Sequence, residues 1–260
     1  MPILTLTTDW GISDPSVGSF KGSLLSKNLD LQIIDISHGI RHFDTLTAAY
    51  VVKTTFRKFP KGTIHYIGLS GQEDQNIECP YIIVETDGHF LVGYDSGVFS
   101  LILDNKESKY IYAISATNHG ERKKNENLIL DALIHLTNGK SADKIGELKE
   151  SYIINYFAVP TIDANTIRGT IIYIDSFGNA VLNITKEVFE KECKDRPFVI
   201  YMRRSEYVIT KISSSYEDVS YGEIVAFFNN NDQLEIALNK SKAAGLLGLK
   251  VMDAIRIDFR

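Results

Sequence analysis

The chain has 260 residues, of which 44% are hydrophobic and 23% charged, and this composition is typical of an ordinary globular protein large enough for two domains. A formal net charge of −5 excludes the concentrated positive field that nucleic-acid binding requires, and no apolar stretch reaches the ~18 residues of a membrane span. There is no signal-peptide pattern, and Cys79 and Cys193 fit reduced thiols, so we expect a cytoplasmic protein with no nucleic-acid and no membrane partner.

The chain opens with a strand signal that ends in a polar, glycine-containing loop. Residues 3–7 are apolar or β-branched, and after Pro15 the apolar residues return at helical spacing. Asp9 and Asp14 therefore lie at the carboxyl end of a first strand, where open α/β sheets bind ligands. A carboxylate there can accept two hydrogen bonds from a vicinal diol such as a ribose. We predict that Asp14 caps the helix, whereas for Asp9 the ligand and the turn interpretations both stay open.

The rest of the first half alternates strand and helix signals. Strand patterns occur at 31–36, 63–69, 81–86, 90–93 and 110–115, and helical patterns at 45–59, 127–136 and 142–148. Such alternation predicts a mostly parallel α/β sandwich, with helices on the faces of one sheet.

From about Pro160 the pattern changes to short strands separated by turn residues. The strand signals fall at 168–174, 180–184, 198–203, 207–212, 224–228, 234–238 and 255–259, with short helical patterns at 186–193 and 240–247. This spacing predicts a small β-barrel. We place the domain boundary near 159–164, which gives an N-terminal domain of residues 1–160 and a C-terminal domain of residues 161–260.

A second polar loop follows the strand that ends at Ile174. It carries an acid, an aromatic ring and an amide within five residues: Asp175, Phe177 and Asn179. Asp175 can hold an ammonium group, Asn179 can bind a carboxylate or an amide, and Phe177 can cover an apolar part of the same ligand. Composition alone favours a tight turn with Gly178 at positive φ.

Metal and nucleotide fingerprints are absent from the sequence. His38 and His42 lack an acid pair or cysteines at metal-ligand spacing, and the glycines form neither a dinucleotide nor a P-loop motif. We therefore expect no metal and no cofactor. Asp35 and His38 are predicted to order the loop before Phe43, and His65 to be a core residue.

Five segments carry a resemblance to a known family: TTDWGISDPSVGSFKG at 7–22, IDISHGIRHFD at 34–44, FPKGTIH at 59–65, IDSFGNAVLNI at 174–184 and LEIALNKSKAAGLLGLKVMDAIRI at 234–257. Together they resemble the S-adenosyl-L-methionine (SAM) hydroxide adenosyltransferase family. These enzymes are adenosine-forming SAM hydrolases related to fluorinase and chlorinase. The resemblance runs in one order through nearly the whole chain.

The resemblance implies a seven-stranded α/β domain and a small β-barrel domain that bind SAM or adenosine between them, in a homotrimer. SAM would be the substrate or ligand, and no cofactor is implied. Asp9 matches the aspartate that holds the ribose hydroxyls, and Phe43 matches the aromatic position along the nucleoside. The residues that match the methionine end are Asp175, Phe177 and Asn179. The segment from Asn229 to Glu235 matches the part that approaches the adenine, although Asn229-Asn230-Asn231-Asp232 replaces the usual serine-containing sequence.

The catalytic positions of the family are altered. In its hydrolases an aspartate, an arginine and a histidine position the attacking water. Here Ser70 stands at the place of the aspartate, and no arginine occurs between Arg57 and Arg122. Asn118-His119-Gly120 resembles the histidine segment, so the resemblance makes Ser70 and His119 the candidate catalytic residues.

These departures leave three functions open. The first is a SAM hydrolase that displaces methionine from C5′ with water, at a reduced rate. The second is a catalytically degenerate protein that binds SAM or a nucleoside. The third is a SAM-dependent halogenase, which ranks lowest because Glu73 and Asp74 place acids near the expected anion site.

Overall fold

A computed structural model describes residues 3–69, 81–104, 110–114, 125–202 and 206–260. The chain divides into two compact units, Met1–Tyr156 and Phe157–Arg260. Within the described ranges, no helix has both the length and the apolar character that crossing a membrane requires.

The first unit is a seven-stranded sheet with helices. Its strands are β1 (Ile3–Thr8), β2 (Gln32–Ser37), β3 (Ile64–Gly68), β4 (Tyr81–Thr86), β5 (His89–Tyr94), β6 (Tyr110–Ile114) and β7 (Gly146–Leu148), and its helices are α1 (Ser16–Lys27), α2 (Thr45–Thr55), α3 (Val98–Leu103) and α4 (Asn125–Thr137). The strand order is β2-β1-β3-β5-β4-β6-β7. Strands β2, β1, β3 and β5 are mutually parallel, while β4 and β7 run antiparallel to their neighbours. The sheet is therefore mostly parallel.

Burial explains why these segments form strands and helices. The β-branched and leucine-rich run of β1 is almost entirely buried, as expected for a strand with both faces covered. One hydrophobic cluster joins β1, α1, β3 and α4 through Leu6, Phe20, Tyr66 and Leu133, among others. The amphipathic spacing after Pro15 thus packs α1 onto the sheet.

Two local predictions for this unit are wrong. Asp14 does not cap α1, because Pro15 occupies the N-terminal boundary and no side chain makes a capping hydrogen bond. Proline presets a helical φ and has no N–H that needs a partner, so the helix begins without a cap. The segment 142–148 is a short 3-10 turn, Ala142–Lys144, followed by strand β7, because pairing with the edge of β6 outweighs the helical periodicity.

The carboxyl ends of the parallel strands meet at one edge of the sheet. Thr8 pairs with Gly68, and Ile67 pairs with Gly93, so β1, β3 and β5 end side by side. A Cβ on Gly93 would lie 2.6 Å from the carbonyl oxygen of Ile67, which is closer than real Cβ contacts. Only glycine allows this approach of the strands at that position.

His65 on β3 is a buried core residue, as the sequence predicted. Its Nδ1 is 2.7 Å from Thr5 Oγ1, and its Nε2 is 3.2 Å from His89 Nδ1. The rings of Phe56 and Phe59 contact it edge to face. Burial, with the neighbouring His89 as a second cause, lowers the pKa of His65 to about 3. The imidazole is therefore neutral at physiological pH and acts as a hydrogen-bonded part of the core.

The second unit is an antiparallel sheet that nearly closes into a barrel. Its elements are β8 (Thr161–Asp163), β9 (Thr166–Ile174), β10 (Ala180–Thr185), α5 (Lys186–Cys193), β11 (Phe198–Tyr201), β12 (Val208–Ile209), β13 (Ile224–Phe228), β14 (Gln233–Leu238), α6 (Ala243–Leu247) and β15 (Ala254–Phe259). The path β12-β11-β15-β9-β10-β14-β13 ends in two strands that contact each other, and β8 pairs with β9. The predicted fold class, an α/β unit followed by a small barrel-like β unit, is confirmed.

The core of the second unit is filled from both strands and helices. Inward residues such as Ile171, Leu182, Ile236 and Ile257 form one cluster, which Phe189 of α5 joins. Helix α6 begins later than the sequence predicted. Lys240 has a φ of 55° and Ser241 bridges back to Leu238, and both features keep the chain out of helical geometry until Ala243.

Candidate functional site

The Asp9 carboxylate is buried at the carboxyl edge of the first unit. Asp9 follows β1 directly and is 1% exposed. The backbone N–H of Phe43 donates to Asp9 Oδ2 at 3.0 Å, and the Nδ1 of His42 lies 4.0 Å from the same oxygen. Asp9 therefore joins the loop after β1 to the loop after β2. A carboxylate fixed in this way presents acceptor oxygens at the place where open α/β sheets bind ligands.

Phe43 is held in an unusual backbone conformation. Its φ is 67°, and its side chain is 62% exposed. A non-glycine residue in this region costs ~1–3 kcal/mol, which the surrounding structure must offset. The backbone N–H of Phe43 is held by its hydrogen bond to Asp9. The next residue, Asp44, caps α2 by accepting a hydrogen bond from the Thr47 N–H. The loop is thus fixed on both sides of Phe43 while the aromatic ring stays open to solvent.

Next to Asp9 lies a series of three side chains in contact with one another: the Thr8 hydroxyl, the His38 imidazole and the Asp35 carboxylate. His38 Nδ1 is 2.8 Å from Thr8 Oγ1, and His38 Nε2 is 3.1 Å from Asp35 Oδ1. Lys21 Nζ contacts the other carboxylate oxygen at 2.5 Å. Burial raises the pKa of Asp35, but the hydrogen bond from Lys21 and the nearby His38 ring together outweigh burial, and the net pKa lies below its ordinary value. Asp35 therefore stays ionised. The loop prediction for Asp35 and His38 agrees with this arrangement.

Asp95, at the carboxyl end of β5, holds a later segment of the same unit. It is buried, its Oδ2 accepts from Lys149 Nζ at 2.6 Å, and its Oδ1 accepts from the Ile153 N–H at 2.9 Å. Ser100, at the start of α3, exchanges hydrogen bonds with the backbone of Asn155. The Asp95 carboxylate thus has a structural role, which is to hold the segment that contains Lys149 and Ile153.

In the second unit, five polar side chains form one continuous network. Asn179 donates from its backbone N–H to Asp175 Oδ1 at 2.8 Å and from Nδ2 to Asp175 Oδ2 at 3.1 Å. The same Nδ2 lies 3.2 Å from Tyr216 Oη, which donates to Glu235 Oε1 at 2.8 Å. Asn229 Nδ2 closes the network on Glu235 Oε2 at 3.1 Å. Four of the residues predicted from sequence are brought together in this way.

The two carboxylates fix the direction of every hydrogen bond in the network. Ionised Asp175 and Glu235 only accept, so Asn179 must turn its NH₂ toward Asp175, and Tyr216 must give its proton to Glu235. Burial, together with the hydrogen bond to Glu235, raises the pKa of Tyr216, so the phenol stays protonated. Both amide hydrogens of Asn179 are then used. Its Oδ1 is left to accept a hydrogen bond, for example from an amide N–H.

A groove of about 730 Å³ adjoins this network. Phe177, Asn179 and Tyr216 line one part of it, and Leu238, Lys240 and Lys242 line another. The Phe177 side chain is 73% exposed, so its ring is available to a ligand. The groove is large enough for a nucleoside or an amino acid, and its lining contains one acid, Glu217, together with amides, aromatic rings and lysines.

The candidate catalytic residues Ser70 and His119 lie outside the described residues. Among the residues that are described, no group of three or more histidine, cysteine or acidic side chains could hold a metal ion.

Comparison with known proteins decides the family. The model of the SAM hydroxide adenosyltransferase N-terminal domain matches residues 4–146, and the model of the C-terminal domain matches residues 169–256. The chain belongs to the SAM hydroxide adenosyltransferase family. The resemblance inferred from the five sequence segments is confirmed.

Individual proteins are similar in sequence to this chain, and a solved structure is similar in fold. A Methanocaldococcus jannaschii protein named (R)-S-adenosyl-L-methionine hydrolase is 29% identical over 276 residues, which cover 99% of this chain and 96% of that one. A Nocardia brasiliensis fluorinase is 38% identical, but over only 24% of this chain and 21% of its own length. An uncharacterized conserved protein from Thermotoga maritima has the same fold, with a TM-score of 0.84 at 24% identity over 98% of this chain and 99% of that one.

Tyr216 is the polar residue that sequence reasoning missed in this family member. It lies in a short 3-10 turn, Tyr216–Asp218, whose capping box pairs Ser215 with Asp218. Nothing local connects it with Asn179, which is 37 positions away along the chain. The available signal is one aromatic residue in the otherwise polar run SSSYED, between two predicted strands.

Proposed function

We propose that the protein is an adenosine-forming SAM hydrolase, in which water attacks C5′ of SAM and methionine leaves. The C5′–S bond breaks with its electron pair going to sulfur, the new C5′–O bond forms, and the water loses a proton. The observation that carries the proposal is the buried, hydrogen-bonded Asp9 carboxylate at the carboxyl edge of a parallel sheet. Such a group suits the two hydroxyls of a ribose. The full-length likeness to a protein named (R)-S-adenosyl-L-methionine hydrolase supports the same reaction.

The binding residues divide the ligand between the two units. We assign Asp9 to the ribose diol and Phe43 to the nucleoside face. In the second unit we assign Asp175 to the ammonium group and Asn179 Oδ1 to a ligand N–H, with Phe177 covering an apolar part and the Asn229–Glu235 pair supporting the groove. We also propose that the units correspond to domains of residues 1–160 and 161–260, and that both contribute residues that bind SAM.

Ser70 and His119 are the proposed catalytic residues. Strand β3 ends at Gly68, two positions before Ser70, and β6 ends at Ile114, five positions before His119. Ser70 offers a hydroxyl without a permanent charge, whereas the family's hydrolases have an aspartate there. SAM carries a good leaving group, so an aligned water in a dry pocket supplies much of the catalysis.

Turnover of SAM tests this function. We expect equal amounts of adenosine and methionine when SAM is incubated with the protein and the mixture is chromatographed, at a rate below ~1 s⁻¹, since the family's aspartate and arginine are missing. His119→Ala is expected to lower that rate by ~10²-fold or more. Adenosine binding without turnover would support the degenerate alternative, and a 5′-halogenated adenosine formed with fluoride or chloride would support the halogenase. A fluorinase from Actinopolyspora mzabensis is also similar over 98% of this chain, but at 21% identity, whereas the protein named (R)-S-adenosyl-L-methionine hydrolase is 29% identical, and this difference favours the hydrolase over the halogenase.

We further propose a homotrimer in the cytoplasm. Within the first unit, several large apolar side chains near its end are exposed: Leu148, Ile153, Ile154 and Tyr156. Contiguous exposed apolar residues commonly mark protein–protein contacts. Light scattering at micromolar concentration should give three times the chain mass, and a mass of one chain would contradict the proposal.

A further inference from the structure

The residue before Asp9 is held by a side chain that the proposed reaction does not use. Backbone pairing between β1 and β2 ends at Thr7 and Ser37. The contact between Thr8 Oγ1 and His38 Nδ1, at 2.8 Å, is the first link beyond that pairing, and Asp9 comes next in the chain. Both side chains are buried, with Thr8 fully so. Beyond the end of the strand ladder, a side-chain contact is thus the first to hold the Asp9 loop against the residues that follow β2.

His38 also holds the far side of the same loop. Its carbonyl oxygen accepts from the N–H of Gly11 at 3.0 Å, so residues on both sides of Asp9 are tied to one histidine. The Phe43 N–H then fixes the Asp9 carboxylate itself. Three hydrogen bonds therefore join the loop after β1 to the segment between His38 and Phe43.

The carboxylate behind His38 favours one tautomer of its ring. Asp35, paired with Lys21, lies 3.1 Å from Nε2, although this contact does not have the geometry of a hydrogen bond, and a proton on Nε2 is the one that its negative charge stabilises. Nδ1 is then an acceptor, and it receives the Thr8 hydroxyl proton. The Thr8 oxygen in turn accepts from the Trp10 N–H at 3.4 Å. These contacts form a continuous series, which runs from the half-exposed Lys21 and Asp35 through the His38 ring and the Thr8 hydroxyl to the backbone around Asp9.

We propose that the His38 imidazole is a positioning group for the ribose-binding carboxylate, acting through the Thr8 hydroxyl on the orientation of Asp9. The inference rests on the proposed function, because it takes Asp9 to be the acceptor for the ribose diol. His38 touches no ligand in this scheme. Its loss should weaken recognition of the diol and leave contacts with the rest of the nucleoside unchanged.

The test compares adenosine with 2′,3′-dideoxyadenosine, which lacks both hydroxyls, by calorimetry. The unmodified protein should bind adenosine at least ~10-fold more tightly, since hydrogen bonds to a charged group carry that discrimination. In His38→Phe the ratio of the two dissociation constants should fall toward one, with the dideoxyadenosine constant unchanged. His38→Asn keeps an acceptor near the position of Nδ1 and should restore part of the ratio. His135→Phe is the matched control, because that ring contacts only the carbonyl of Ser141 among the bonds described for it and lies on α4.

The outcomes separate the two proposals. If the unmodified protein does not discriminate between the nucleosides, the assignment of Asp9, and with it the proposed function, fails. If it discriminates and His38→Phe keeps the full ratio, the role of His38 is refuted. Should His38→Phe fail to fold, Thr8→Val decides the question, because it removes only the hydroxyl and is expected to lower the same ratio.

Discussion

Replacing Asp9 with asparagine is expected to weaken adenosine binding by about 10- to 100-fold. The amide is nearly isosteric and keeps one oxygen for the Phe43 N–H, but it replaces a charged acceptor with a donor. Hydrogen bonds to charged groups contribute ~1.5–3 kcal/mol, and a donor facing a hydroxyl that must also donate loses that contribution. Calorimetric titration of adenosine into both proteins measures the effect directly.

Asp14→Asn is the matched control for that experiment. Asp14 lies in the same loop and is exposed, and its side chain makes no capping bond to α1. The same chemical change there should alter adenosine affinity by less than about twofold, because exposed substitutions away from such contacts have small effects. Equal affinities for the Asp9 and Asp14 variants would show that the ribose is held elsewhere.

Replacing Asn179 with aspartate is expected to destabilise the protein by about 2–4 kcal/mol at pH 7. The new carboxylate would stand near 3 Å from Asp175 and would no longer donate to Tyr216. Two like charges at ~4 Å repel by about 4 kcal/mol at the effective dielectric constant of a protein surface. The free energy of unfolding from urea denaturation at pH 7 tests this expectation.

The pH dependence of the same variant provides a second readout. Repulsion raises the pKa of the carboxyl pair in the folded state above the unfolded value near 4. At pH values between the unfolded and the folded pKa, the unfolded chain therefore binds fewer protons than the folded chain. The loss of stability caused by the variant consequently shrinks as the pH falls toward 4. Asn230→Asp adds the same charge at an exposed position and serves as the control. If both variants lost equal stability at pH 7, the hydrogen-bond network would not have the charge arrangement described above.

The sequence predicts most strands and helices and the fold class of both units, because hydrophobic periodicity is a local signal. The apolar run of β1 ends where the polar residues begin, and that boundary placed Asp9 at the strand end. Asp14 and the 142–148 segment were predicted wrongly for a related reason. Proline geometry at the start of α1 and strand pairing at the edge of β6 act against the local preference, and only the folded chain shows which effect dominates.

Contacts between distant residues account for the part of the site that the sequence does not reveal. Tyr216 meets Glu235, 19 positions away, only because the barrel brings the 3-10 turn against β14. The direction of the Asn179 amide follows from two carboxylates, one local and one distant, and composition could not fix it. Residue type indicated which groups carry chemistry, whereas their donor and acceptor roles depended on the three-dimensional network.

The segment Asn229-Asn230-Asn231-Asp232 differs from position to position in how much a substitution would disturb the fold. Asn229 Oδ1 accepts from the N–H groups of Asn231 and Gln233 and so builds the β13–β14 hairpin, while its Nδ2 holds Glu235. A substitution there would disturb the turn and the buried acid together. The side chains of Asn230 and Asn231 are exposed, so substitutions at those two positions should change folding stability little. The segment thus combines two constrained positions, Asn229 and Asp232 with its φ of 55°, with two exposed asparagine side chains.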